Sequence, residues 1–368
     1  MRHSTINARA RPRSCRALAL AATLPLGAAV EAQSSVTIGG IADAAARHVR
    51  NTGGGSMKSL ASGSNGTSRI IIRGAEDLGD GLSAGFHLEH GLLLDSGSQA
   101  STSQFWDRRS TIGLTGRTWG EVRMGRDFVP SYVNWSRYDP FSYVGVAGSN
   151  NLVSAGPAGP IRSAFSTSPN TTVRSSNAVQ WLLPSGWAGL DGGLMLAAGE
   201  GGIAANGLHK VSAARLGWGN RRFGVSVAIT RSENNLTAGG TFRDRVVGGQ
   251  ADLGFVRLSA AYRIFDVAAA EQRNLLVGAI VPLGQGELKL SWNRADLAGR
   301  VGNASIAAND AEQFGIGYVY FLSKRTALYG TAARIDNKGA ATFVVPAGPA
   351  IAPGGKSTGV EAGIRHSF

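Results

Sequence analysis

Cysteine is almost missing from this chain. The one thiol, Cys15, precedes an N-terminal apolar stretch, out of place for lipid attachment. With no second cysteine there is no disulfide framework, cysteine metal site or cysteine nucleophile. The histidines His48, His87, His90, His209 and His366 have no metal-ligand spacing with acidic residues, and no pattern nominates a catalytic nucleophile and base. Aromatics are only 7% of residues, and 24 acidic residues face 37 basic ones. Beyond residue 33 no apolar run approaches the ~20 residues of a spanning helix. Yet 43% of residues are hydrophobic and 52 are glycine. A membrane chain without apolar helices has one physical solution, a closed barrel, because every backbone N–H and C=O must be paired.

The N-terminus reads as an export signal. Arg2, Arg9, Arg11, Arg13 and Arg16 form a basic leader, Ala17 to Val30 is apolar, and small residues flank Glu31. This is the pattern of a cleaved signal peptide over residues 1–32, with a single mature domain from 33 to 368. Setting aside those arginines and Glu31 leaves 32 basic and 23 acidic residues, a charge near +9. The arginines are spread singly along strand-like segments rather than clustered, which points to a charged inner surface and not to nucleic acid.

Period-two segments recur along the chain. Leu82, Ala84, Phe86 and Leu88 oppose Ser83, Gly85, His87 and Glu89. Val256, Leu258, Ala260, Tyr262 and Ile264 oppose Arg257, Ser259 and Arg263. In the last ten residues Val360, Ala362, Ile364, His366 and Phe368 oppose Gly359, Glu361, Gly363, Arg365 and Ser367. In a soluble sandwich the apolar faces would meet in a core; in a barrel they face lipid and the polar faces line the lumen. Short turns such as Leu78–Gly81, Pro184–Gly186 and Ser323–Lys324 alternate with longer Gly/Ser/Asn-rich stretches around 51–66, 93–103, 200–206, 232–243, 298–309 and 338–354. That asymmetry favours the barrel, with about sixteen strands. Residues 128–172 are too long for an ordinary connection. They carry Tyr132, Trp135, Tyr138, Phe141 and Tyr143, and their natural place is folded into a water-filled lumen, where irregular backbone is tolerated.

Several segments resemble the trimeric general porins of Gram-negative outer membranes, in particular the betaproteobacterial type. They are Ser34–Asp43, Ser68–Leu82, Gly125–Pro130, Tyr138–Phe141, Arg174–Val179, Tyr320–Tyr329 and the closing Gly363–Phe368. They span nearly all of residues 33–368 and occur in the family's order. The opening strand departs by having Gly40 where an aromatic is usual, and the acidic loop signature of enterobacterial relatives is absent. The resemblance implies an all-β, transmembrane antiparallel β-barrel of about 16 strands in the outer membrane. Its constriction loop, about 128–172, would fold inward. The implied function is passive diffusion of small hydrophilic solutes and ions, without catalysis or cofactor. Implied partners are two further copies of the chain, outer-membrane lipid including lipopolysaccharide, and the barrel-assembly machinery, which would read Phe368. A substrate-selective porin is the alternative within transport; a barrel adhesin or outer-membrane enzyme lies outside it.

The resemblance also implies a basic wall facing acids on the loop. Arg69 and Arg73 share parity opposite Ile70 and Ile72, and an arginine held toward lipid at mid-depth costs ~2–4 kcal/mol. That pair is therefore expected to point inward. Arg108 matches the family's next cluster position, although Arg108 and Arg109 occupy both parities; Arg123 and Arg174 are further wall candidates. Asp139 is the candidate loop acid, or a turn carboxylate capping its neighbours. Many arginines and few loop acids lead to an expected anion preference.

Overall fold

The computed structural model describes residues 34–154, 157–167, 172–201, 209–237 and 240–368. The signal-peptide reading, Cys15, the processing site near Gln33 and most of the 200–206 stretch lie outside the described residues.

Sixteen antiparallel strands close on themselves. They are β1 (Ser35–Asn51), β2 (Gly55–Ser62 and Arg69–Gly79, interrupted by a short excursion), β3 (Leu82–Leu93), β4 (Arg109–Gly116), β5 (Gly120–Phe128), β6 (Arg174–Leu182), β7 (Leu190–Ala197) and β8 (Lys210–Gly219). The second half comprises β9 (Phe223–Glu233), β10 (Phe242–Asp252), β11 (Arg257–Val267), β12 (Ala270–Leu283), β13 (Gly286–Val301), β14 (Ala311–Phe321), β15 (Thr326–Asn337) and β16 (Lys356–Ser367). Each pairs with its sequence neighbours, and β1 pairs with β16 from Ile41↔Ser367 to Asn51↔Ser357. Closure leaves no edge strand, as hydrocarbon requires.

The alternation read from the sequence sorts the faces. Val225, Val227, Leu290, Phe314, Ile316, Val360 and Ile364 are exposed on the outer wall, while Glu361, Gln313, Asn293 and Asn274 are buried inside. Trp119, Trp187, Trp218, Phe223, Phe255 and Phe368 are exposed at or beside the short-turn end, and Trp218 Nε1 donates to Ala188 O at 3.1 Å. Aromatics with an apolar body and a polar tip suit that interface.

One loop expectation is corrected. Residues 51–66 do not form a long loop: Gly55–Ser62 pairs with β1 from Ala44↔Ser62 to Asn51↔Gly55, leaving a tight turn at 52–54. Backbone pairing overrides a Gly/Ser-rich composition there. The 298–309 stretch also starts later than expected, because β13 continues to Val301.

The chain ends in a lock. Phe368 N donates to Gly40 O at 3.1 Å, and Gly40 N donates to Phe368 O at 3.0 Å. A Cβ on Gly40 would lie 2.3 Å from Arg69 O and 2.6 Å from the Phe368 ring. The missing aromatic at position 40 therefore makes room for the terminal ring.

Candidate pore constriction

The long connection between β5 and β6 is folded inside the barrel. Short helices α1 (Pro130–Ser136) and α2 (Pro160–Phe165) and a 3-10 turn at Ser149–Leu152 give it shape. Its path follows the inner wall. Asn134 Nδ2 donates to Ser226 O at 3.3 Å on β9, and Ser259 Oγ on β11 donates to Tyr138 O at 2.7 Å. Pro140 lies against Gly278 on β12 and Phe141 against Gly315 and Gly317 on β14. A Cβ at Gly315 would stand 2.6 Å from Ala147, so glycine sets how closely the loop approaches the wall. At the far end Val146 N donates to Glu361 Oε1 at 3.1 Å, and Arg47 holds the same carboxylate at 2.8 Å.

An apolar core lies within the lumen as a result. Val49, Phe141, Val146, Leu152, Leu297, Ile306, Ile335, Phe343 and Val345 form one buried cluster drawn from strands and three inward-folded connections. Arg47 Nη1 to Pro346 O at 3.3 Å and Asn51 Nδ2 to Pro349 O at 2.5 Å hold the 338–355 connection down onto it. Protein thus fills the β9–β16 side, and the aqueous route is left beside β2–β6.

That remaining side carries the arginines. Thr37↔Arg73↔His87↔Thr111 and Ile71↔Glu89↔Arg109 form cross-strand rows facing inward. Arg69 Nε lies 3.2 Å from Glu89 Oε1, and Arg108 Nε pairs with the same oxygen. Arg108 precedes the first residue of β4, so strand alternation does not bind it. Arg108 and Arg109 both reach inward, and neither is at a lipid-facing position: Arg109 Nη2 stands 3.4 Å from Asp127 Oδ2 and its Nη1 lies 3.0 Å from His87 Nδ1. Arg123 Nε is 3.0 Å from Asp127 Oδ2. Arg73 is exposed, lining an inner alcove of about 480 Å³ with Thr37, His87, Arg109, Thr111 and Arg123. Five guanidiniums, Arg69, Arg73, Arg108, Arg109 and Arg123, thus share a wall with three carboxylates, Glu89, Glu121 and Asp127. Arg174 lies higher, its guanidinium 4.8 Å above the Phe128 ring, which stacks on Tyr132 at 5.2 Å. Tyr132 sits close enough to Arg69 and Arg174 for electrostatic interaction with both, so the loop faces the arginine wall there.

Asp139 does not face this water. Its carboxylate accepts from Phe141 N (2.8 Å), Tyr143 N (3.0 Å), Ser149 N (2.8 Å) and Ser149 Oγ (2.6 Å), all within the loop. Burial pushes its carboxyl pKa up, and these bonds oppose that rise. The geometry is that of the turn-capping carboxylate, a staple closing the loop on itself. Asp139 is also the only acid between 128 and 172, so the loop offers no acid to the lumen among its described residues. The acids that face this arginine wall are on strands: Glu89, visible in the polar face of β3, Glu121 at the start of β5, and Asp127, which follows a register shift at Gly125 (φ 125°) and lies outside the strict alternation.

Comparison with known proteins agrees with this architecture. The family model of Gram-negative porins matches residues 17–340. Outer membrane porin protein 32 of Delftia acidovorans is 33% identical over 95% of this chain and 99% of its own length. An outer membrane porin protein of Bordetella pertussis is 27% identical over 82% of each chain. Among solved structures, the anion-selective porin from Comamonas acidovorans superposes with a TM-score of 0.76 at 30% identity, covering 91% of this chain and 100% of that one. A closed sixteen-strand barrel with an inward constriction loop, matched by these relatives over nearly its whole length, makes the chain a member of the Gram-negative porin family, of betaproteobacterial type: an outer-membrane channel for passive diffusion.

Proposed function

We propose that this porin prefers anions among the small hydrophilic solutes it passes, and that Arg69, Arg73, Arg108, Arg109 and Arg123 supply the preference. The observation carrying the reading is the one-sided charge of the constriction. Five guanidiniums face the lumen against three wall carboxylates, a surplus of two positive charges, while the only acid of the inserted loop is turned into the loop. A basic lining concentrates anions and depletes cations. The Comamonas relative is itself described as anion-selective. Reversal potential across a planar bilayer in a salt gradient tests the proposal; a cation-preferring sign refutes it. Saturation of the current by one solute would instead favour a substrate-selective channel.

The same reading extends to assembly. Export uses the cleaved signal at 1–32, and the barrel-assembly machinery reads the terminal Phe368. The channel works as a homotrimer in a leaflet of lipopolysaccharide. The outer faces of β1 and β2 support self-association there, since Ala42, Ala44, Ala46, Ile70 and Ile72 put only small or aliphatic side chains on the outward parity. Heat-modifiable migration of unboiled protein reports the trimer, and N-terminal sequencing of the exported chain reports the processing site.

A further inference from the structure

The long-loop rim of the outer wall carries charges that the channel does not use. On β12–β15 three arginines have acids of their own: Arg273 with Glu271 at 2.5 Å, Arg294 with Asp296 at 2.6 Å, and Arg334 with Asp336 at 2.9 Å. On β9–β11 the balance fails. Arg231 stands directly opposite Arg243 in the register, and Arg243 and Arg245 share the single carboxylate of Asp266. Arg231 has no counter-ion among the described residues. Three exposed arginines on one carboxylate leave a surplus of two positive charges at this spot. Like charges directly opposite across an antiparallel pair are unfavourable, and these arginines could have been paired as their neighbours are.

The surroundings supply room for a ligand with two kinds of surface. Beside Arg231 a rim cavity of about 510 Å³ is lined by Lys210, Ser212, Arg231 and Thr241; Glu233 also borders it and holds Lys210 at 3.8 Å. Below Arg245, along the same outward face of β10, an apolar groove of about 550 Å³ is walled by Leu216, Val225, Val227, Val247 and Tyr262. Guanidiniums at headgroup level above an apolar trough match a phosphate carried on acyl chains.

We propose that Arg231, Arg243 and Arg245 form a phosphate site for a phosphorylated, multiply acylated lipid of the outer leaflet, whose chain lies in the groove below. The proposal rests on the reading that this rim sits in a lipopolysaccharide leaflet, and names the place where one lipid is held. The phosphate bridges Arg231 and Arg243, relieving their repulsion. The acyl chain covers Val227 and Val247.

Native mass spectrometry of the purified trimer, titrated with bisphosphorylated lipid A, tests it. Arg231→Ala combined with Arg243→Ala should weaken binding about 30-fold, as expected for two arginine–phosphate contacts of about 1 kcal/mol each. Dephosphorylated lipid A should bind the native trimer as weakly. A control, Arg273→Ala with Arg294→Ala, removes the same charge from arginines that already have acids, and should stay within about twofold. Bilayer conductance of both variants should match the native channel, showing that they are folded. Native affinity in the first variant overturns the site, as does an equal loss in the control, which would mean a diffuse belt. Competition by inorganic phosphate at the lipid's own concentration would mean a free-anion site instead. No binding of phosphorylated lipid by the native trimer would sink the broader lipid reading as well.

Discussion

Arg73 is the most informative position in the wall. It is exposed to the lumen and has no acid within ion-pair distance among the described residues, whereas Arg69, Arg108 and Arg109 each have one and Arg123 has two. Its charge is therefore presented to passing ions with least local cancellation. At about 6 Å in water a unit charge is worth about 0.7 kcal/mol, and screening at 0.1 M salt reduces this to about 0.4 kcal/mol. Arg73→Gln removes one unit, and Arg73→Glu changes the local charge by two. Anions lose what cations gain, so the charge reversal lowers the anion-to-cation permeability ratio by about 1.6 kcal/mol, roughly 15-fold. Neutralisation should give about half that shift on a logarithmic scale, roughly fourfold. Reversal potential of purified trimer in a tenfold salt gradient (about 0.1 M on the dilute side) reads both. The shift should shrink as total salt rises. An unchanged potential in Arg73→Glu, or equal shifts in the two variants, would refute the assignment of this wall as the selectivity determinant.

Three further outcomes follow from packing. Gly315→Leu should push Phe141 and Ala147 off the β14 wall into the aqueous route, so single-channel conductance falls while the barrel still forms; unchanged conductance would mean that the loop does not depend on this close approach. Asp139→Ala leaves four loop donors without their acceptor, a loss of about 2–5 kcal/mol, and should appear as noisier open-channel current and faster proteolytic cleavage within 128–172. Gly40→Ala places a Cβ against both Arg69 O and the terminal ring, so its urea midpoint should fall, and fall less when Phe368→Ala is added.

Strand parity was the most legible part of this molecule. Alternation in Leu82–Glu89 and Gly359–Phe368 sorted outward from inward residues as the structure has them, because one face meets lipid and the other does not. Parity also placed Arg69 and Arg73 inward. It lost its hold wherever backbone leaves the ladder: Arg108 turns inward from outside its strand, and Asp127 follows the register shift at Gly125. Asp139 shows a different limit. An acid in a lumen loop looks the same in sequence whether it faces water or binds its own loop, since the deciding donors are backbone N–H groups. Gly55–Ser62 was hidden for a related reason: its partner strand, more than its composition, makes it a strand.

The apolar cluster inside the lumen has a consequence for how the protein is made. Val49, Phe141, Ile306 and Phe343 come from widely separated parts of the chain, and no hairpin alone brings them together. A core of such distant contacts repays its loop-closure entropy only once the ends meet. Ordering of the constriction loop therefore belongs after β1 and β16 zip, not before. An open sheet in the membrane would have a wall but no gate, and the step that seals the barrel is also the step that sets its bore.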